Sequence, residues 1–354
     1  MSITFKFLEA GVGDAILISS EGKNILIDGG EKYQKISSSI DKIDKQELLD
    51  LVILTHIDCD HIKGLIELLK KEEKIKLLRE IWFNPSLNDL RFGSLKQNRK
   101  TSAKQGLNFT EKVKELMEVN PHISCDTSIY LEEKKEDIKL FNSENLTVKL
   151  LSPPFYMLEK LEKEYQKPPT TASKKTSNIT DEVIDQGATI ESLAQFDWKK
   201  VKDRKHANGA SIAFILSYKT EYQFLLLADA HIDIIIESLK NLGYSIHNKL
   251  KVNFVKLSHH ASKCNINQDF LDLIETDTFI ISTNGKKHNH PNDETLSKII
   301  MDPTRNKAKK INFFFNYDSV RLIKTKKEYF NGDNKDKYNF SFKCLDKNKG
   351  ITYG

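Results

Sequence analysis

The stretch THIDCDH, residues 55–61, puts four side chains that metals favour, His56, Asp58, Asp60 and His61, into six positions directly after the apolar run LVIL. Two carboxylates this close repel each other unless a cation neutralises them, so the spacing itself points to metal binding. More donors stand at the ends of other apolar runs. Asp229 closes FLLLA, His259 and His260 close FVKLS, and His290 lies in NGKKHNHP. A metal centre needs lone pairs converging on one point, and strand ends supply them because the sheet fixes where each loop starts. Singly, these residues have plainer readings: Asp229 as a helix N-cap, His259 as a hydrogen-bonded core residue, His290 as a turn residue before Pro291. Cys59 is set aside as a ligand, because side chains alternate along an extended loop and Asp58 and Asp60 take the inward direction.

Short β-rich runs, ITFKFL, AILISS and NILIDGG, are separated by Gly-containing breaks and read as opening hairpins. A short helix, the buried strand LVILT and the donor loop follow. Then HIKGLIELLKK carries Ile62, Leu65, Ile66 and Leu69 at helical spacing. Strand patterns resume in ASIAFILSY, YQFLLLADA, KVNFVKLSHH and TDTFIISTNG, with a helix expected after each of the last three. The halves echo each other where NILIDGG and FLLLADA both end apolar strands on an aspartate, Asp28 and Asp229. Two such halves predict an α/β fold: an αββα sandwich of two facing mixed sheets with helices outside. Residues 167–187, rich in Pro, Ser and Thr, suggest a mobile insertion, a candidate lid. The mixed-charge runs at 70–80, 131–138 and 157–167 read as solvated surface.

THIDCDHIKG resembles the HxHxDH signature of the metallo-β-lactamase fold, in an HxDxDH variant with Asp58 in place of the second histidine. LEAGVGDAILI and ILIDGG are similar to the opening hairpins of that fold, LLLADA to its GD strand, LSHHAS to its HHGS element, and NHP to its late GHP turn. The resemblance spans roughly 3–155 and 205–300. It is closest to the metallo-β-lactamase domain of bacterial competence (DNA-uptake) proteins. It implies a single domain over 1–330 with the insertion at about 157–204, followed by a C-terminal extension at 331–354.

It also implies two divalent metal ions, zinc first and manganese next. His56 and Asp58 would serve the first site, Asp60 and His61 the second, with Asp229 bridging and His259 completing the second; His260 competes for that last role. The first site is short of a ligand, for which Asn84, His122 and His206 are the candidates. Carboxylate in place of imidazole hardens that site and favours ions such as manganese more than imidazole does.

A metal pair supplies hydroxide at neutral pH by lowering the pKa of water from about 15.7 toward 7, and suits phosphodiesters because two cations clamp both entering and leaving oxygens. Asp60 would orient the nucleophile, and His290, then His260, would protonate the leaving group. The expected function is therefore a metal-dependent hydrolase, a phosphodiesterase or nuclease. The alternatives are a hydrolase of lactones, thioesters or small phosphoesters, and a regulatory module that binds metal without turnover. Phosphodiester or nucleic-acid substrates are the expected partners; Lys263 and the basic runs Arg305, Lys307, Lys309, Lys310 and Lys324, Lys326, Lys327 offer phosphate contacts. Of 354 residues, 55 are basic and 50 acidic, a balance that by itself argues for no nucleic acid. Four scattered cysteines form no CxxC pair, and neither a membrane-length apolar run nor a secretion signal is present, so a cytoplasmic protein is expected.

Overall fold

The computed structural model describes residues 1–42, 49–75, 78–85, 101–166, 187–198 and 201–354. Two mixed sheets face each other. The first has seven strands in the order Ile351–Tyr353, Ile3–Phe7, Ile16–Ser20, Lys23–Ile27, Leu49–Ile53, Glu80–Trp82, Ser124–Asp126, antiparallel as far as Lys23–Ile27 and parallel beyond. The second has eight, in the order Phe340–Cys344, Ile311–Phe315, Thr278–Ile281, Phe254–Lys256, Tyr222–Leu226, Ala213–Tyr218, Leu146–Ser152, Ile138–Lys139. Its first five are mutually parallel and the rest antiparallel.

Alternation along the strands sorts side chains into layers. Ile3, Phe5, Phe7, Ile25, Ile27, Leu51 and Ile53 of the first sheet meet Val148, Phe214, Leu216, Phe224 and Phe254 of the second. Phe5 lies edge-on to Phe254 with centroids 5.0 Å apart, a favoured aromatic geometry. The outer faces are covered too: Leu26, Val52 and Ile81 pack under Ile36, Ile62, Leu65 and Phe109. On the other side, Leu225, Val255 and Phe279 pack under Ile235, Leu239, Leu296 and Ile299. Central strands buried on both faces explain why NILI and LVIL read as continuous apolar runs. The expected αββα sandwich is the observed architecture.

Three differences have physical causes. Residues 331–354, expected as an extension, give each sheet an edge strand, Phe340–Cys344 and Ile351–Tyr353, whose partners lie elsewhere in the chain. Of the expected insertion, 167–186 and 199–200 lie outside the described residues. The part at 155–166 is a helix that buries Met157, Leu158, Glu162 and Tyr165 and leaves Glu159, Lys160 and Lys163 exposed. Finally, the helix after LVILT begins at Cys59, so Asp60 and His61 are in its first turn and not in an extended loop. The alternation argument does not apply there, and the Cys59 thiol donates to the Gln105 side-chain oxygen Oε1 at 2.9 Å.

Helix Cys59–Leu68 lies backbone to backbone on the turn after Asp28. The Gly29 amide donates to the His61 carbonyl and the Gly64 amide to the Gly30 carbonyl. A Cβ on Gly64 would sit 1.9 Å from the Gly29 carbonyl oxygen. Gly64→Ala should therefore destabilise the fold by about 1–3 kcal/mol, the usual cost of overpacking. Thermal unfolding of the variant checks this; an unchanged midpoint would mean that the helix sits farther away.

Candidate metal centre

Asp28 ends strand Lys23–Ile27 in the left-handed region (φ 59°), fully buried. One carboxylate oxygen accepts the Thr55 amide at 2.8 Å; the other accepts the Thr55 hydroxyl at 2.7 Å and His61 Nδ1–H at 2.7 Å. The Thr55 oxygen in turn accepts His56 Nδ1–H at 3.1 Å. One carboxylate thus orients both imidazoles, His61 directly and His56 through Thr55, and leaves both Nε2 lone pairs for a cation. This arrangement is the second shell that metal-binding histidines ordinarily require.

The second half of the cluster comes from the other sheet. Asp229 follows strand Tyr222–Leu226, and His259 and His260 follow Phe254–Lys256. Residues 259, 260 and 261 all take left-handed backbone, φ 46°, 55° and 66°. Adjacent side chains that a strand would splay to opposite faces therefore both reach Asp229. His260 gives Nδ1–H to the Ser282 carbonyl at 2.9 Å, and His259 gives its own to Asp203 at 3.1 Å. Around the Asp229 carboxylate stand His61 Nε2 at 3.5 Å, His260 Nε2 at 3.7 Å, His259 Nε2 at 3.8 Å and His56 Nε2 at 3.9 Å. Asp58 is 3.6 Å from His56 Nε2 and Asp60 is 3.8 Å from His260 Nε2.

The six ligand candidates read from the sequence, His56, Asp58, Asp60, His61, Asp229 and His259, are thus brought together, and His260 with them. His290 stacks edge-on to His259, centroids 5.1 Å apart. Asn84 exchanges hydrogen bonds with the Ile129 backbone, His206 faces Glu164 and His122 sits on an exposed turn, so none of the three turns to the cluster. Lys263 is spent on Glu294 at 2.7 Å.

Whether a cation fits is decided by the buried atoms. His56 Nε2, Asp58 Oδ1, His61 Nε2, Asp229 Oδ1 and His260 Nε2 are all buried with no hydrogen-bond partner among the described residues. Five such atoms facing one region would be costly without a shared partner, since each forfeits its hydration. Asp60, His61 and His260, and likewise His56, His61 and Asp229, present ligand atoms within 4.8 Å of one another. Nitrogen and carboxylate oxygen together suit zinc and manganese.

Electrostatics agrees. Burial works against ionising Asp229, but His260, His61 and His259 outweigh it and hold its carboxyl well below the usual range. Burial likewise opposes protonation of His61, yet Asp229 and Asp28 hold its pKa well above the ordinary value. For His259, burial is overridden by Asp229 and Asp203, which push it up to about 9. His290 goes the other way: burial, then the neighbouring His259, His260 and His288, hold it well below an ordinary histidine.

Sequence reasoning missed the partners that aim these rings. Asp28 was visible only as an echo of Asp229, and Thr55 only as a strand residue. Asp203 falls within the stretch at about 157–204 expected as an insertion and was not singled out. Asp14 and Lys256 form a buried ion pair beneath the cluster, with Lys256 also donating to the Ala228 carbonyl. Gly13, next to Asp14, packs on the Asp60 backbone.

Two outcomes follow. Asp28→Asn should weaken zinc or manganese binding by about 10–100-fold in a folded chain, measured by calorimetry; unaltered affinity would remove Asp28 from the second shell. Because His61 and His259 hold protons at neutral pH, metal uptake should release protons. The calorimetric enthalpy at neutral pH should then depend on buffer ionisation heat, and affinity should strengthen as pH rises toward about 9. A buffer-independent enthalpy would contradict this.

The metallo-beta-lactamase superfamily model matches residues 8–135. Among solved structures, the chain is similar to the short form of human tRNase Z, with 13% identity and TM-score 0.40 over 80% of this chain and 92% of that one. It is similar to YhfI from Bacillus subtilis, a metallo-beta-lactamase fold protein, with 12% identity and TM-score 0.42 over 99% and 98%. It is also similar to zinc-bound PqqB from Methylobacterium extorquens, with 9% identity and TM-score 0.43 over 100% of each. A search of curated proteins found no match. The donor loop and the orienting Asp28 both lie inside the residues that the metallo-beta-lactamase superfamily model matches, and the αββα sandwich extends beyond them.

Proposed function

We propose that this chain is a metal-dependent hydrolase of phosphodiesters, with nucleic-acid strands among its substrates. The observation that carries the reading is the set of partnerless buried nitrogens and oxygens gathered around Asp229. A bound divalent ion supplies Lewis acidity toward the attacked oxygen and brings the pKa of water down to about 7.

The chain's own residues do the rest. The side chains of Asp60 and His259 are 24% and 25% exposed, whereas those of His56, Asp58, His61, Asp229 and His260 are 5% or less, so substrate enters on the Asp60–His259 side. Asp60 sits in the first turn of helix Cys59–Leu68. It is placed to accept a hydrogen bond from the attacking water and to take up its proton. His290 lies against the ring of His259, but burial and the neighbouring histidines hold its pKa well below the ordinary value, so the expected role of leaving-group acid does not fall to it.

What favours phosphodiesters is the likeness of the motifs to the domain of competence proteins. Three members of the two basic runs are engaged within the fold. Arg305 and Lys307 donate to the backbone carbonyls of Ile300 and Asp302, and Lys324 is buried on Asp293. The run at 305–310 also precedes strand Ile311–Phe315, at the end of the parallel strands opposite His259 and His260. A second reading, hydrolysis of a lactone or thioester with an apolar arm, has its own support. A pocket walled by Ile57, Phe83, Leu158 and Leu161 opens beside His56.

The test is turnover of bis(p-nitrophenyl) phosphate and of a labelled single-stranded oligonucleotide with manganese or zinc. Asp60→Ala and Asp229→Ala should each lower turnover by at least about a hundredfold in a folded chain, and oligonucleotide cleavage should fall with added salt. Full activity in either variant would sink the assignment. Cleavage of lactones or thioesters alone would transfer it to the second reading.

A further inference from the structure

Asp58 was expected to share the first site with His56, yet it belongs to none of the three-ligand groupings among the described residues. Its Oδ2 accepts a hydrogen bond from the Lys205 ammonium, while Oδ1, buried, has no partner. Lys205 is not a loose surface lysine, although its side chain is 56% exposed. Its amide donates to Asp203 Oδ1 at 3.0 Å, and its carbonyl accepts His231 Nε2–H at 3.0 Å. Asp203 Oδ2 also accepts from Asn208 at 2.8 Å and from His259 at 3.1 Å. The lysine's backbone is thereby fixed to the carboxylate that orients a histidine of the cluster, and its side chain runs from there to Asp58. An ion held by Asp58 and His56 would stand beside this ammonium, with the two positive charges competing for one carboxylate.

We propose that the Lys205 ammonium takes the place of the first-site cation, so that the chain holds one divalent ion, at Asp60, His61 and His260 with Asp229. The proposal rests on reading the cluster as a metal centre. The division of labour follows from the chemistry of the two cations. A lysine ammonium is no Lewis acid and cannot activate water, but it donates hydrogen bonds to an anionic oxygen. Standing half-exposed beside the cluster, Lys205 meets the negative oxygen of the substrate, while the ion's site, with Asp60, handles the nucleophile.

The experiment counts metal. The full chain, stripped with chelator and reloaded separately with manganese and zinc, is freed of excess ion and its metal per chain measured by plasma mass spectrometry. The wild type and Lys205→Arg should hold one ion. Lys205→Met, which keeps the stem and removes the charge, should free Asp58 and hold two. Circular dichroism confirms that both variants fold. Two ions in the wild type, or one in Lys205→Met, would overturn the role of Lys205 while leaving the metal reading intact. No ion in the wild type would remove the metal reading and this proposal together.

Discussion

A buried carboxylate that no backbone amide among the described residues satisfies is the fixed point of this molecule. Asp229 lies between the sheets at the mouth of the sandwich with imidazole nitrogens on either side, three toward one oxygen and one toward the other. Such a group survives burial only if positive charge reaches it from all around. Each ring is therefore held from behind by a different part of the chain: Asp28, Thr55, Asp203 and the Ser282 carbonyl take the outer nitrogens. The inner nitrogens are left with one common direction. The site is set by the backbone before any ligand arrives, which is the condition for tight and selective ion binding.

Backbone strain is part of the same design. Asp28, Ala228, His259, His260 and Ala261 all occupy the left-handed region, and all lie at or beside the cluster. Each such residue costs on the order of 1–3 kcal/mol, which a well-packed core must offset. Three apolar layers, one between the sheets and one under each set of helices, provide that support. The buried Asp14–Lys256 pair joins the glycine-rich loop of the first sheet to a central strand of the second, directly below the ligands. It ties together the two halves that each bring part of the site.

The sequence was legible where chemistry is dense or periodicity is clean. Four donors in six residues announced a metal loop, and strand runs ending in acid or imidazole announced the rest of the cluster and the layered fold. Adjacent His259 and His260 were read as rivals because sequence does not separate neighbouring histidines; a run of left-handed residues brings both to the cluster, and no residue type marks that run. Lys205 and Asp203 sit among other charges in DRKHAN, and only the fold shows that their side chains turn inward. The strands at 340–344 and 351–353 were obscured for another reason: they are short, interrupted by turns, and paired with partners that the local pattern does not contain.

The pairing of Ile351–Tyr353 with Ile3–Phe5 has a consequence for how this chain behaves among its own copies. Without it, Ile3–Phe7 would be the rim of a six-stranded sheet, a row of unpaired amides and carbonyls alternating with buried Ile3, Phe5 and Phe7. A rim of that kind is a template for strands of other molecules. The short strand that covers it is itself poor bait, being three residues long with none of them buried. What looks like a minor flourish at the border of the sheet is thus a guard against self-association, placed far from the chemistry and independent of it.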